Sequence, residues 1–428
     1  MRKILLISTR VFWPADSGHK VVLWNYCKGL AEQLDYEVHV WTFLEGGQDM
    51  DEATRSKPSF IANVGYASSV PRGEKAANLI GALPNGSMPF QCCLFQSVAN
   101  SKALAAHVES LDPDVILVDM IRLAPYLDAV GAHRSAKVIY YEDLLSKRYF
   151  RQVGETGGNA LGNYGKQASA LLSQVANGPL KDTVFKVEAR RCERAEDGWA
   201  RRVDATLFIS PLEAHELGER AGVTNCFSAT MGAEVTDIVD PGGPKAYDLG
   251  FVGNLYTAAN QDSLCCLIGE VLPLLPGRTL CVVGVCPDEV RVAYAGNDRV
   301  TFTGRVESIA DALGSCSLLL APFVYGTGVK TKVLEAMGMG VPVVTNPLGL
   351  EGIAAERGRE VLCADTSRGL ADAALSLLKD ERLRRSVARA GQDYVRRNHD
   401  WTKSIADLGE CLDCALDAAS RRAGGGAR

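Results

Sequence analysis

Residues 318–352 read LLLAPFVYGTGVKTKVLEAMGMGVPVVTNPLGLEG, and this stretch decides the fold. An apolar run ends at Pro322. A loop with Gly326 and Gly328 then opens a helical pattern that contains Lys330, Lys332 and Glu335. Gly340-Val341-Pro342 closes the helix, and a second apolar run ends at Asn346. Strand, loop, helix and strand in this order form the unit of a parallel sheet with right-handed crossovers. In open sheets of that kind, ligands settle beyond the carboxyl ends of the strands. A glycine-lined helix N-terminus there offers unpaired amides and the positive end of the helix dipole to an anion. Lysines in a first turn oppose that dipole, so Lys330 and Lys332 are odd choices unless a phosphate sits beside them. Glu335, further along the helix, is placed to accept hydrogen bonds from ribose hydroxyls. The plain alternative is an ordinary strand–loop–helix with solvated lysines.

The same unit recurs on both sides of this stretch. Residues 3–8 read as a buried strand and 11–19 as a loop with Pro14 and Gly18. The spacing of Val22, Leu23, Tyr26 and Leu30 predicts a helix over 21–33, and 37–43 is the next strand. Further strands are expected at 115–119, 138–141 and 206–210. The glycine-rich segment 155–177 reads as a mobile insertion, and Pro-Gly-Gly-Pro at 241–244 marks a linker near 237–247. A second series follows, with strands at 249–253, 279–283, 300–303, 317–321 and 341–345 and helices at 260–274 and 330–339. The tail over 370–419 is helical, and Gly424 to Gly426 end it in a loose stub. The expected fold class is α/β, doubly wound and built twice. Its domains are 1–240, 241–395, and a C-terminal helix over 396–428 that packs back on the first.

Composition sets the outer bounds. The chain has 428 residues, 47% apolar and 23% charged, with a net charge of −5. That balance suits large buried cores and argues against a chain-wide nucleic-acid binder, which needs a concentrated basic face. Thirteen cysteines, an odd number, include the vicinal pairs Cys92-Cys93 and Cys265-Cys266 and a lone C-x-x-C at Cys411 and Cys414. They read as buried small hydrophobes in a reducing cytosol, not as a disulfide framework or a zinc site. The apolar run at 4–8 is too short for a signal peptide, and no stretch approaches a membrane span of about 20 residues.

Phe251-Val252-Gly253, Thr303-Gly304-Arg305 and Trp401 in the tail complete an ordered set around the 318–352 stretch. Together they resemble the nucleotide-sugar signature of GT-B glycosyltransferases, in particular the large retaining family 4. The resemblance is strong over 249–405 and moderate over 1–45. It implies two Rossmann-like doubly wound parallel-sheet domains facing a central cleft. It also implies a nucleoside-diphosphate sugar, UDP or GDP, as donor substrate, with retention, and with neither a metal nor a separate cofactor. Residue by residue, Glu335 takes the place of the glutamate that holds the ribose. Gly18, with His19 beside it, takes that of the loop approaching the diphosphate and sugar. Gly326, Thr327, Gly328 and Lys330 correspond to the donor loop, and Gly253, Asn254, Arg305 and Lys332 line the same site. Two positions depart from the pattern. Thr327 stands where a glutamate is common, which leaves the sugar open, and Asn254 stands where an arginine is common. Lys330 and Lys332 are placed to supply the missing charge, so Lys330 is also a catalytic candidate.

In the first half, Asp119 and Asp143 close strands and are the other catalytic candidates, placed to orient an acceptor hydroxyl or the sugar. Either could instead cap a following helix. His39 reads as structural. The basic residues Lys147, Arg148, Arg190, Arg191 and Arg194, beside the apolar 89–94 stretch, raise peripheral contact with an anionic membrane face, or merely a solvated helix. The expected acceptor is a saccharide, a lipid-linked molecule or a small molecule, as in cell-surface glycoconjugate synthesis. Rival readings are a nucleotide-sugar epimerase, a natural-product glycosyltransferase and a non-catalytic nucleotide-binding scaffold.

Overall fold

The computed structural model describes residues 1–15, 18–44, 48–83, 86, 88–153, 181–236, 245–326 and 328–425. The expectations for the 155–177 segment, Thr327, the linker at 237–244 and Gly426 lie outside these residues. The chain divides into two compact units, Met1–Thr230 with Thr402–Arg428, and Met231–Trp401.

The first unit carries a seven-stranded sheet in the order β3-β2-β1-β4-β5-β6-β7. Its strands are β1 (Arg2–Ser8), β2 (Tyr36–Phe43), β3 (Ile61–Ala67), β4 (Val115–Asp119), β5 (Ala136–Tyr141), β6 (Ala205–Phe208) and β7 (Cys226–Ser228). All pairings are parallel. Ile4, Leu5, Leu6 and Ile7 are essentially without exposure, as a strand covered by helices on both faces requires. The second unit repeats the plan with six strands, β10-β9-β8-β11-β12-β13. These are β8 (Tyr247–Val252), β9 (Leu280–Val283), β10 (Val300–Gly304), β11 (Cys316–Ala321), β12 (Val343–Thr345) and β13 (Leu362–Cys363). In each sheet the order reverses next to the first strand, between β1 and β4 and between β8 and β11. Crevices outside the carboxyl ends of strands open at such switch points.

Some elements differ from the sequence reading, for local reasons. The helix expected over 260–274 is regular only over Ala258–Cys266, then passes through a π turn at Leu267–Val271 and a 3-10 turn at Leu272–Leu274. Pro273 lacks the amide hydrogen that would continue an α-helical ladder. The helical tail is three helices, Ser367–Lys379, Glu381–Asn398 and Trp401–Gly425. Thr366 and Asp380 cap the first two through their side chains. The last helix belongs to the first unit and lies close on the Gly18–Glu32 helix. A Cβ at Gly29 would fall 2.4 Å from Ile405, so no larger residue fits there.

Four of the five basic residues are engaged inside the first unit, and Arg190 is exposed. Arg191 is buried and donates to the carbonyls of Ala82, Leu83 and Met88. Lys147 pairs with Glu216 at 2.9 Å, Arg148 pairs with Asp143, and Arg194 donates to the Gly86 carbonyl. Neither of the sequence-based options, a solvated face or a membrane-facing one, describes Arg148 or Arg191. Among the described residues no helix is long and apolar enough to cross a membrane.

Candidate functional site

In the second unit the switch point gathers residues from three segments. The chain leaves β11, passes Phe323, and turns through Gly326 (φ 137°) and Gly328 (φ 72°) into the Thr331–Gly338 helix. Both dihedrals lie where side-chain-bearing residues are strained, so the two glycines are what allow this turn. Lys330 precedes the helix and is 8% exposed. Its Nζ donates to the Gly328 carbonyl at 2.7 Å and lies 3.8 Å from Glu351. One turn of that helix divides cleanly: Val333, Leu334 and Met337 enter the core, while Lys332 and Glu335 remain half-buried.

The Lys332 ammonium lies 5.3 Å from the Phe251 ring centroid and 5.1 Å from that of Phe323. It donates to Asn260 Oδ1 at 2.7 Å. Burial pushes its pKa down to about 8, despite the Glu335 carboxylate nearby. Burial likewise pushes Glu335 above the ordinary carboxylate value, with Lys332 opposing the shift and Glu234 adding to it. Each charge is thus kept partly uncompensated at the carboxyl edge of a sheet, as functional groups tend to be.

The β8 side completes the cluster. Gly253 follows β8, and a Cβ there would lie 3.0 Å from the Asn260 amide carbon. Asn254 is turned into its own loop: Oδ1 accepts from the Tyr256 amide at 2.9 Å, and its carbonyl accepts from Asn260 Nδ2 at 2.9 Å. Its side chain supports the Ala258–Cys266 helix N-terminus and supplies no cation. Arg305 is exposed just after the edge strand β10, whose Gly304 bridges Gly284, and Gly284 in turn packs against the Gly253 carbonyl.

In the first unit the switch point holds Gly18, the first residue of the Gly18–Glu32 helix, with His19 next to it. His19 Nε2 bonds Asp119 Oδ1 at 2.8 Å. Asp119 is fully buried, and its Oδ2 accepts from the Thr9 hydroxyl at 3.1 Å and the Thr9 amide at 3.3 Å. Asp119 caps no helix, and both of its oxygens are taken by Thr9 and His19. The other ring nitrogen, Nδ1, is buried and has no hydrogen-bond partner among the described residues. Desolvation pulls the His19 pKa down, but Asp119 and Glu142 outweigh it and Arg10, and the net shift is upward. Asp143 is not a helix cap either; its Oδ2 holds Arg148 through Nε at 2.8 Å and Nη2 at 2.7 Å.

The structure brings Gly253, Asn254, Gly326, Gly328, Lys330, Lys332 and Glu335 together, and separately Gly18, His19 and Asp119. Phe251 was singled out in the sequence only as part of Phe251-Val252-Gly253, and Asn260, Phe323 and Glu351 were missed as site residues. Asn260 carried no local signal, because its meaning comes from packing against Gly253 and Lys332.

Comparison with known proteins bears on the fold and on the second unit. Residues 246–380 match the family described as glycosyl transferases group 1. A phosphatidyl-myo-inositol mannosyltransferase of Mycobacterium leprae is 31% identical over 164 residues, 35% of this chain and 44% of that protein. The chain therefore spans less than half the length of this relative in the match. Among solved structures, sucrose-phosphate synthase from Thermosynechococcus elongatus superposes with a TM-score of 0.69 at 16% identity, over 98% of this chain and 100% of that one. Anabaena HepE in complex with UDP gives 0.65 at 15% identity, over 96% and 100%. The two parallel-sheet units have the fold of GT-B glycosyltransferases, and the second carries a group 1 glycosyltransferase domain.

Proposed function

We propose that the chain transfers a sugar from a nucleoside-diphosphate sugar to an acceptor hydroxyl, with retention and without a metal. The observation that carries this reading is Lys332. Its ammonium sits in the first turn of a helix, against the dipole, with no carboxylate of the described residues in ion-pair contact. Holding a half-buried cation unpaired is costly, and an anionic ligand removes the cost. As the nucleoside diphosphate departs, charge grows on its phosphates. The amides of the glycine turn, with Lys332 and Lys330, are suited to stabilise that charge in place of a metal ion. Glu335, on the same helix, suits the ribose hydroxyls. His19, held by Asp119, suits a hydroxyl of the sugar or acceptor.

The UDP complexes of Anabaena HepE make UDP the first nucleotide to test. The name of the Mycobacterium relative favours a lipid-linked acceptor, and with it peripheral work at the inner membrane face in cell-surface glycoconjugate synthesis. A thermal-shift screen of UDP-glucose, GDP-mannose, ADP-glucose and dTDP-glucose tests the donor reading, because a ligand that binds the folded state raises its stability. We expect one of them to raise the melting temperature and to be hydrolysed slowly. An isomerised sugar points to an epimerase, binding without turnover to a scaffold, and no shift with any donor overturns the reading.

A further inference from the structure

We propose that Asn260 is a positioning residue that aims the Lys332 ammonium at the donor diphosphate while leaving its charge unspent. This rests on the donor-site reading above. Three observations carry it. First, Asn260 Oδ1 is the hydrogen-bond acceptor of Lys332 Nζ, at 2.7 Å across 72 positions of sequence. Second, Asn260 is itself fixed: its Nδ2 donates to the Asn254 carbonyl at 2.9 Å, and its amide lies over the bare α-carbon of Gly253. The loop after β8 thus sets where the ammonium points. Third, two phenylalanine rings, Phe251 and Phe323, lie 5.3 Å and 5.1 Å from the ammonium and offer it no directional hydrogen bond.

The choice of an amide is chemically specific. An aspartate at this distance would form a partly buried ion pair with Lys332 and cancel the field meant for phosphate. An alanine would leave a flexible four-carbon chain without an anchor, since aromatic faces attract a cation with little directional control. Asparagine accepts one hydrogen bond, carries no charge, and so orients without neutralising. The charged groups facing Lys332 and its helix are Glu335 and Lys330 on the same segment, Glu234 beside Glu335, and Glu351 beside Lys330. None of them takes the place of Asn260 as its hydrogen-bond partner.

The test uses the full chain, UDP as probe, and titration calorimetry between roughly pH 7 and pH 9, a range that brackets the depressed lysine value. Asn260→Asp should weaken UDP binding tenfold or more, on the scale of one charge-assisted contact. It should also move the alkaline loss of binding to higher pH, because a carboxylate favours the protonated ammonium. Asn260→Ala should weaken binding by several-fold and move the alkaline limb to lower pH, the opposite direction. A residue with only a structural role shifts the melting temperature and leaves the limb in place. The proposal is overturned if both variants bind UDP like the parent, or if their limbs coincide with the parent's. Lys332→Met separates the two readings. If it weakens UDP binding while the Asn260 variants do not, only the role of Asn260 falls. If Lys332→Met leaves UDP binding unchanged, the donor-site reading falls, and the role of Asn260 with it.

Discussion

His19 and Asp119, 100 positions apart, meet at 2.8 Å where β1 and β4 end side by side, and the carboxylate keeps one ring nitrogen occupied while the other has no partner among the described residues. The arrangement fixes the imidazole's tilt and tautomer, as an orienting carboxylate does for a working histidine.

This pair has a stability signature. The folded-state pKa of His19 lies above its unfolded value, so its contribution is full below about pH 6.5 and is lost as pH rises through the folded value. Asp119 is shifted below the ordinary value, chiefly by His19 and the Thr9 amide against strong desolvation. Its contribution is present above about pH 3.8 and is lost only as pH falls through the lower folded value. His19→Gln should therefore lower the melting temperature most below about pH 6.5, with the deficit shrinking as pH rises through the raised folded value. Thermal melts of both proteins across that range check this. A deficit that grows with pH contradicts it.

Lys332 should trade stability for binding. Its folded pKa, about 8, is below the unfolded value. The unfolded chain therefore binds more protons between those two values, and the penalty on the folded state is full at neutral pH. Lys332→Met, with its side chain between Phe251 and Phe323, should raise the melting temperature of the free protein by roughly 2–4 °C at pH 7. The same change should weaken UDP binding by about tenfold or more. Melts with and without UDP measure both effects.

Glu335→Gln keeps shape and removes charge. If the carboxylate accepts from ribose hydroxyls, each bond contributes about 1.5–3 kcal/mol, so nucleoside-diphosphate affinity should fall roughly tenfold or more. The free protein should melt at nearly its original temperature, because burial already disfavours this charge. A variant that binds the nucleotide normally but melts well below the parent makes Glu335 a structural residue.

Turnover should persist in excess EDTA. The leaving-group charge is assigned to Lys332, Lys330 and the turn amides, whose work requires no divalent ion. Hydrolysis of the donor that binds best, followed with and without chelator, decides it. Full loss restored by Mn²⁺ or Mg²⁺ overturns that assignment.

The legible parts of the molecule were the local ones. β1, β4, β9 and β11 are apolar runs buried on both faces, and a run of that kind is visible without knowing its neighbours. β3 was missed because it is an edge strand: within Ile61–Ala67 only the two end residues are buried, and Gly65 interrupts the pattern. The glycine turn with Lys330, Lys332 and Glu335 was readable because its chemistry lies within ten residues of one another in the chain. Asn260 and the dependence of Asp119 on His19 were not, since each arises from strands brought together across many residues. Arg148 and Arg191 failed as surface charges for the same reason. A sequence reveals charge but not which carboxylate or carbonyl will close over it.

The return of the Trp401–Gly425 helix to the first unit bears on synthesis. Ile405, Leu408, Cys411, Leu412 and Ala415 are fully buried, yet they are made only after the whole of Met231–Trp401. Until they emerge, the Gly18–Glu32 helix has no cover on the side where Gly29 receives Ile405, whereas Met231–Trp401 is contiguous and complete. Domains usually mature from the N-terminus onward during translation. Here the order is inverted: Met231–Trp401 has all its parts before the first-made unit, whose apolar surface stays open until Trp401–Gly425 is made.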